Sequence, residues 1–303
     1  MSEPLLVVVG PTASGKTELA VRLAELLNGE IIGADSVQLY RAFDVGSGKP
    51  TAEQLQRAPH HLVDAFDPLT PMDAAVWASH ADRARCDIIG RGRRPIVCGG
   101  TFLWIKALLF GLAPAPPADE GIRARHRADA ARLGRPALHA ELAQVDPETA
   151  LRLAPNDFVR VSRALEVYAI SGVRLSEWQR QHGFQKPRHS ARLVGIAWPR
   201  EELDRRIDGR VRKMLAAGWV DEVRSLLHSG YGSARAMGSV GYRQIADALQ
   251  NEADPPDEEA LWDSIYRATR VFARRQRTWL RDQPVEWLDP ACLTTLHAED
   301  WLS

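Results

Sequence analysis

The chain has 303 residues, of which 39 are basic and 39 acidic, so its formal net charge is zero. Hydrophobic residues make up 45% and charged residues 26%, a composition typical of globular proteins with a full-sized core. A zero net charge excludes a globally basic nucleic-acid binder, so any nucleic-acid surface must be a local basic patch. Because no apolar run approaches the roughly 20 residues of a membrane helix, we expect a cytoplasmic protein without membrane contacts.

The three cysteines are far apart in the chain, at Cys86, Cys98 and Cys292. An odd number at such distances fits neither a disulfide framework nor a zinc site. We therefore expect all three to be small buried residues.

A glycine-rich segment near the N-terminus matches the phosphate-loop pattern, in which a glycine is followed by four residues and then by Gly-Lys-Ser/Thr. Its residues are Gly10, Pro11, Thr12, Ala13, Ser14, Gly15, Lys16 and Thr17. The apolar run 5–9 predicts a buried parallel strand before the loop, and leucines at helical spacing predict a helix after it.

Such a loop binds anions, because its backbone N–H groups converge at a helix N-terminus where the helix dipole also favours negative charge. The pattern therefore predicts a bound di- or triphosphate. We expect Lys16 to reach the terminal phosphate and the Thr17 hydroxyl to bind a magnesium ion, Mg²⁺.

A second predicted strand, residues 30–34, leads into Asp35-Ser36-Val37-Gln38. Ligands of doubly wound sheets bind beyond the carboxyl ends of the strands, so Asp35 is expected beside the phosphate loop. An acid at this position could hold magnesium, act as a general base or cap the next helix. Spacing alone leaves these alternatives open.

A third predicted strand, residues 96–98, ends in Gly99-Gly100-Thr101 and precedes an apolar helix over residues 102–110. This arrangement predicts a second anion site with a hydroxyl attached, or else a tight turn in which the glycines serve geometry only. Phosphate-loop kinases carry a magnesium-binding acid at the end of such a strand, where this chain has glycine. The glycine weakens the case for a generic ATPase.

Residues 113–190 are predicted to form an all-helical insertion lobe. A proline-rich linker precedes the lobe, and no strand pattern returns before residue 191. Residues 1–112 and 191–303 then form an α/β core, a P-loop NTPase-like parallel sheet flanked by helices. We expect the C-terminal helices of the core to be basic.

Arginines recur at helical spacing in three places. Arg160 and Arg163 lie off an apolar stripe of the lobe made of Phe158, Val161, Leu165 and Tyr168. Arg206 and Arg210 are four residues apart, either as solvated charges or as a clamp on a diphosphate. A stripe near the C-terminus scarcely mixes charge signs, which favours a phosphate-backbone footprint; it consists of Arg267, Arg270, Arg274, Arg277 and Arg281.

Six motifs, in this order along the chain, resemble those of one enzyme family. They lie at residues 10–17, 35–41, 99–101, 156–166, 240–243 and 273–279. The chain closely resembles the bacterial tRNA dimethylallyltransferases, also called tRNA isopentenyltransferases, from residue 5 to about residue 288.

The resemblance implies transfer of a dimethylallyl group from dimethylallyl diphosphate to N6 of adenosine 37, in tRNAs that read codons beginning with U. It implies Mg²⁺ as cofactor, the tRNA anticodon stem-loop as partner, no obligate protein partner and a monomer. A diphosphate leaving group needs cationic groups, and the weakly nucleophilic N6 needs a base. Asp35 is expected to be this base, with Thr101 on the leaving oxygen and Lys16 and Arg210 on the phosphates. The adenosine is expected to flip out of the anticodon loop to reach them.

The same resemblance implies three sets of tRNA-binding residues. The strand-end loops and the segment after residue 239 supply Asp35, Ser36, Val37, Gln38, Thr101, Val240, Gly241, Tyr242, Arg243 and Gln244. The lobe supplies Arg123, Val159, Arg160, Val161, Ser162 and Arg163. The last helix supplies Arg270, Arg274, Arg275, Gln276, Arg277 and Trp279. Phe102 and Trp104 are larger than is usual in the family and are expected near the prenyl pocket, so the resemblance leaves the shape of that pocket open.

Two other functions share part of this pattern. A nucleoside or metabolite kinase shares the phosphate loop, Asp35 and magnesium, but it gives the arginine stripe no role. A tRNA-binding module with a vestigial nucleotide site is disfavoured by the intact Lys16, Thr17, Asp35 and Thr101.

Overall fold

A computed structural model describes residues 3–184, 186–251 and 257–301. Its central element is one six-stranded sheet in the order β3-β2-β4-β1-β5-β6, with every neighbouring pair parallel. The strands are β1 Leu5–Val9, β2 Gly29–Ala34, β3 His60–His61, β4 Arg94–Gly99, β5 Ala191–Ile196 and β6 Val285–Leu288. The sheet confirms the predicted parallel α/β fold.

Helices connect the strands. They are α1 Lys16–Leu26, α2 Ala52–Arg57, α3 Ala74–Gly90, α4 Phe102–Phe110, α5 Glu120–Leu133, α6 Arg135–Val145, α7 Pro147–Arg152, α8 Phe158–Ser171, α9 Leu175–His182, α10 Arg200–Ala216, α11 Trp219–His228, α12 Tyr242–Asn251 and α13 Glu258–Arg281. Within the described residues, no helix is both long and apolar enough to span a membrane.

The register of the central strands brings three loops to one edge of the sheet. Val9, the last residue of β1, pairs with Gly99, which also pairs with Ala34 at the end of β2. A Cβ atom on Gly99 would lie 2.1 Å from the Ala34 carbonyl oxygen, so only glycine permits this close approach. The phosphate loop, the Asp35 loop and the Gly-Gly-Thr loop therefore begin side by side.

The chain divides into two compact units. One comprises Met1–Leu109 and Arg188–Ser303 and holds the sheet, whereas the other comprises Phe110–Pro187 and holds α5 to α9. The sequence prediction had placed these boundaries three residues later, at 112/113 and 190/191. The second unit has a core of its own, formed by Leu138, Leu142, Ala150, Val161, Ala164 and Leu165.

Two short strands were not predicted from the sequence. β3 has two residues, too few for a periodic signal, and β6 lies at the sheet edge with a mixed pattern of half-buried and exposed residues. Tyr168 was predicted to face the lobe core but is 39% exposed, because it lies beyond the buried face of α8.

The expectation of three buried cysteines is wrong. Cys86 and Cys292 are exposed, and Cys98 is half-buried. Cys86 lies two residues before the buried Ile88 on α3, and an offset of two residues turns a side chain to the opposite face of a helix. Cys98 lies near Lys16 on β4, and burial raises the pKa of its thiol to about 12.

Candidate active site

The phosphate loop runs from the end of β1 into α1. Ala13 and Gly15 both have left-handed backbone conformations, with φ of 64° and 85°. A Cβ atom on Gly10 would lie 2.5 Å from the Ser14 hydroxyl oxygen, so the first glycine of the motif lets the loop fold back on itself. The loop thus winds around the N-terminus of α1, where unpaired N–H groups favour an anion.

Lys16 lies at the start of α1 with its ammonium group turned toward this loop. Its Nζ donates to the Pro11 carbonyl at 3.4 Å. Burial lowers the pKa of Lys16, and Arg210 lowers it further, whereas Asp35 acts in the opposite direction. A phosphate group beside Lys16 would supply the negative charge that this half-buried ammonium lacks.

One cavity of about 460 Å³ joins the three loops to α10 and α13. It lies within the sheet-containing unit and is lined by five residues predicted to act on substrate, Lys16, Thr17, Asp35, Thr101 and Arg210. A neighbouring cavity of about 670 Å³ shares Lys16, Thr17 and Arg210 and adds further cations, Lys49, Arg206 and Lys213. Glu18 and Asp44 also line this second cavity, and Lys49 pairs with Asp44. The remaining cations lie beside a site that contains one carboxylate.

Asp35 holds its own loop in place with one of its two carboxylate oxygens. Its Oδ1 accepts hydrogen bonds from the backbone N–H groups of Val37 at 2.9 Å and Gln38 at 3.3 Å. Its Oδ2 accepts no hydrogen bond from the described residues. Asp35 therefore caps a turn rather than the predicted helix, since residues 36–39 form a turn, and this contact leaves Oδ2 for catalysis.

Thr101 ties the second and third loops together. Its Oγ1 accepts a hydrogen bond from the Ser36 N–H at 3.1 Å, and its own N–H donates to the Ala34 carbonyl at 3.1 Å. The hydroxyl hydrogen of Thr101 has no acceptor in the described part of the chain. The side chain is thus oriented by one loop and still able to donate.

Arg206 and Arg210 have different environments although they are one turn apart on α10. Arg206 donates from Nε to the Ala13 carbonyl at 2.9 Å and stacks 4.3 Å above the Trp198 ring. Among the described residues, Arg210 makes one hydrogen bond, a long one of 3.4 Å to the Ser47 carbonyl. Burial lowers the pKa of Arg210, which Asp35 opposes. Arg206 therefore braces the phosphate loop, whereas Arg210 remains available to a diphosphate.

Gln276 on α13 connects the phosphate loop to the Gly-Gly-Thr loop. Its Oε1 accepts from the Thr12 N–H at 2.8 Å, and its Nε2 donates to the Gly100 carbonyl at 3.2 Å. The side chain is 5% exposed, and its amide is occupied at both ends. Gln276 was predicted to bind tRNA, but these contacts make it a residue that positions the two loops.

Gln38 and Glu222 hold the loop of residues 44–48 in place. Gln38 donates from Nε2 to the carbonyls of Ser47 at 3.1 Å and Gly48 at 2.9 Å, and neither bond uses its Oε1. Glu222 accepts from three backbone N–H groups of this loop, at Asp44, Val45 and Gly46. Sequence analysis missed Glu222 because it lies about 180 residues away from this loop on α11, outside every motif.

Besides Gln276 and Gly241, three residues predicted to contact tRNA are buried. Tyr242 is fully buried, and its hydroxyl donates to Glu222 at 2.6 Å. Val161 lies in the core of the helical unit, and Ser162 is buried beside His126 at 2.9 Å. The adjoining motif residues differ: Arg243 is exposed, and Val240 and Gln244 are half-buried, with Gln244 capping the N–H of Gly241 at 2.8 Å.

The predicted lobe arginines fall into two groups. Arg123 and Arg163 both pair with Glu166, which is fully buried, at 2.9 Å and 2.6 Å. Arg160 and Val159 are exposed on the first turn of α8. Only this second group is free to bind an external ligand without breaking a buried ion pair.

The arginine stripe of α13 mixes charge signs more than the sequence suggested. Its members with acidic partners are Arg267 with Asp263 at 2.8 Å, Arg270 with Asp204 at 2.7 Å and Arg281 with Asp282 at 3.6 Å. The linear pattern concealed only Asp204, which lies on α10, because Asp263 and Asp282 are close to their arginines in the sequence. Arg274 and Arg277 are exposed and have no acidic partner among the described residues. Both line a groove of about 620 Å³ between α10 and α13.

Phe102 and Trp104 do not lie where the sequence predicted. Phe102 stacks on Trp279 with ring centroids 4.3 Å apart, and Trp104 stacks on Trp77 at 5.4 Å. Neither residue is among those that line the cavity. Both rings pack into the core, so neither side chain lines this cavity.

Oxygen ligands suited to magnesium are present in the cavity. Thr17 and Asp35 both line it, and hard oxygen donors combined with phosphate oxygens are the ligands that Mg²⁺ prefers. Within the described residues, no cluster of three or more His, Cys, Asp or Glu side chains forms a metal cage. The residues present therefore fit a magnesium ion that arrives with a diphosphate.

Comparison with known proteins agrees with this geometry. Residues 38–283 match a family model described as IPP transferase, and residues 4–64 match one described as isopentenyl transferase. A tRNA dimethylallyltransferase of Sorangium cellulosum is 64% identical over 94% of this chain and 90% of its own length. One from Geobacter sulfurreducens is 46% identical over 94% of this chain and 91% of its own.

A solved structure extends the likeness to three dimensions. The tRNA isopentenylpyrophosphate transferase of Bacillus halodurans is 34% identical and matches with a TM-score of 0.69, covering 95% of this chain and 90% of the other. The chain therefore belongs to the tRNA dimethylallyltransferase family, and it is a tRNA prenyltransferase.

Proposed function

We propose that the enzyme transfers the dimethylallyl group of dimethylallyl diphosphate to N6 of adenosine 37, in tRNAs that read codons beginning with U. The observation that carries this proposal is one cavity in which the anion-binding groups Lys16 and Arg210 lie together with the carboxylate of Asp35. Prenyl transfer to an amine needs both functions in one place, cations for the leaving group and a base for the nucleophile.

In the proposed reaction, the N6 atom attacks C1 of the dimethylallyl group as the C1–oxygen bond breaks. The electron pair of that bond leaves with the diphosphate, which Lys16, Arg210 and the loop N–H groups bind. Thr101 donates to the departing oxygen. The Oδ2 of Asp35 takes the proton that N6 loses, so charge and atoms balance without any other reactant.

Magnesium would be held by the Thr17 hydroxyl and by diphosphate oxygens. When bound, it supplies positive charge that neutralises the diphosphate. Asp35 would keep Oδ1 on the loop N–H groups and leave Oδ2 for the substrate.

The tRNA is proposed to bind through the exposed members of the predicted set. At the cavity these are Arg243 and Arg275, and along α13 they are Arg274 and Arg277. Adenosine 37 would leave the anticodon loop stack to enter the cavity, where Gln38 Oε1 can accept a hydrogen bond from its amino group. We propose that a single chain suffices for this recognition.

The test is transfer of label from dimethylallyl diphosphate to an unmodified anticodon stem-loop that contains A36-A37-A38, in the presence of magnesium. We expect label in the RNA, and we expect none when A37 is replaced by guanosine. ATP replaces the prenyl donor in a parallel reaction that contains a nucleoside. Phosphate transfer from ATP, with no prenyl transfer, would support the kinase instead and reject this proposal.

A further inference from the structure

The cavity has an exposed end and a buried end. At the exposed end, Arg243 and Arg275 are open to solvent and Phe272 is 41% exposed. At the buried end, Trp219 and Val211 are each 2% exposed. A polymer can reach only the exposed end, so the buried end is left for the small donor.

Trp219, the first residue of α11, is held at the buried end by packing. Its ring lies between two glycines: a Cβ atom would lie 1.8 Å from its Nε1 if placed on Gly46, and 1.9 Å from its Cη2 if placed on Gly241. Tyr242 meets the ring edge-on, with centroids 5.5 Å apart. The buried Nε1 has no hydrogen-bond partner in the described residues. The indole is therefore a fixed and mainly apolar wall.

Residues 46–48 connect this wall to Arg210, where the diphosphate is proposed to bind. Gly48 lies two residues after Gly46, and a Cβ atom on it would lie 2.2 Å from the Arg210 guanidinium and 2.9 Å from the Met214 methyl group. Met214 follows Arg210 by one turn of α10, a rise of about 6 Å. A chain attached to a diphosphate at Arg210 would thus pass Met214 and meet Trp219.

We propose that Trp219 closes the prenyl subsite and limits the donor to a single five-carbon unit. This inference rests on the proposed function. A donor with a second isoprene unit would push its last carbons against an indole that is trapped between two glycines and cannot turn aside. Hydrophobic pockets discriminate by about 10- to 200-fold for a single methylene, so a blocked five-carbon extension should be strongly rejected.

The experiment compares dimethylallyl diphosphate with geranyl diphosphate as donors to the anticodon stem-loop. In Trp219→Leu, we expect the ratio of kcat/KM for geranyl over dimethylallyl diphosphate to rise at least about 10-fold above the wild-type ratio. The KM for RNA should stay within about twofold. Phe272→Leu removes an aromatic ring from the exposed end of the same cavity and should leave the donor ratio unchanged.

An unchanged donor ratio in a Trp219→Leu protein that retains the wild-type melting temperature would overturn the inference. A rise in KM for RNA with no change in donor ratio would also overturn the inference, because it would show that the Trp219 ring contacts the adenine and not the prenyl group. If the variant fails to fold, inhibition of the wild type decides: geranyl diphosphate that binds as tightly as dimethylallyl diphosphate contradicts a closed subsite, and binding at least tenfold weaker supports it. Absence of dimethylallyl transfer by the wild type would instead reject the proposed function.

Discussion

The Thr101 hydroxyl joins two loops of the site and is proposed to act on the leaving oxygen. It accepts from the Ser36 N–H and keeps its own hydrogen for a substrate. In Thr101→Val, which has the same shape, we expect kcat to fall about 100-fold because a donor to the leaving oxygen is lost. The KM for dimethylallyl diphosphate should change much less, since this contact strengthens in the transition state.

Steady-state kinetics with both substrates measure this split, and Thr101→Ser, which keeps the hydroxyl, serves as the control. Serine should recover most of kcat. A valine variant with normal kcat and raised donor KM would show that Thr101 only binds the ground state.

Helix α8 depends on one buried carboxylate. Glu166 accepts from Arg123, from Arg163 and from the Asp119 N–H at 2.7 Å. Removal of its side chain leaves these donors without their acceptor, so we expect Glu166→Ala to lower the stability of the helical unit by about 3 kcal/mol. Arg160→Ala on the same helix is the control, because it removes only a surface pair with Asp157 and should cost less than about 0.5 kcal/mol.

The same carboxylate gives the helical unit a defined response to acid. Burial raises the pKa of Glu166, but the hydrogen bonds from Arg123 and Arg163 outweigh burial and bring the pKa below its ordinary value of 4.5. Its stabilisation is therefore complete above about pH 4.5 and is lost as the pH falls through the lowered value. Thermal unfolding followed from pH 7 to pH 3 should show this loss in the wild type, and a much weaker one in Glu166→Ala.

Helix α13 offers two arginines that differ in pairing and resemble each other in exposure. Arg274 has no acidic partner among the described residues, whereas Arg267 pairs with Asp263 at 2.8 Å. A phosphate contact releases counterions, so Arg274→Ala should weaken RNA binding and reduce the slope of log affinity against log salt by about 0.7 to 0.9. Arg267→Ala should change the slope less. Equal slopes for Arg274→Ala and the wild type, from 50 to 200 mM salt, would contradict a phosphate contact by Arg274 and would indicate an ordinary solvated surface.

For the molecule as a whole, the features that the sequence predicted best are local and periodic ones. The apolar runs of β1, β2, β4 and β5 and the glycine motifs beside them placed Lys16, Asp35 and Thr101 at one edge of a parallel sheet. The structure has them there. This works because a strand followed by a loop has few ways to meet its neighbours in such a sheet.

What sequence could not supply were contacts between distant segments. Gln276 looked like part of a tRNA motif, yet it bonds the phosphate loop 264 residues away. The partner of Arg270 lies on another helix, and the ring of Trp219 is fixed by glycines far from it in the chain. Such pairings depend on the packed fold, which no single-segment pattern encodes.

The central claim is that Asp35 removes the N6 proton in this cavity. Asp35→Asn tests it most directly, because asparagine keeps an Oδ1 acceptor for the Val37 and Gln38 N–H groups and so preserves the loop. Single-turnover transfer with saturating donor and RNA should slow by about 1,000-fold, with the Kd for RNA within about twofold of wild type. A rate within tenfold of wild type would contradict the assignment of Asp35 as the base.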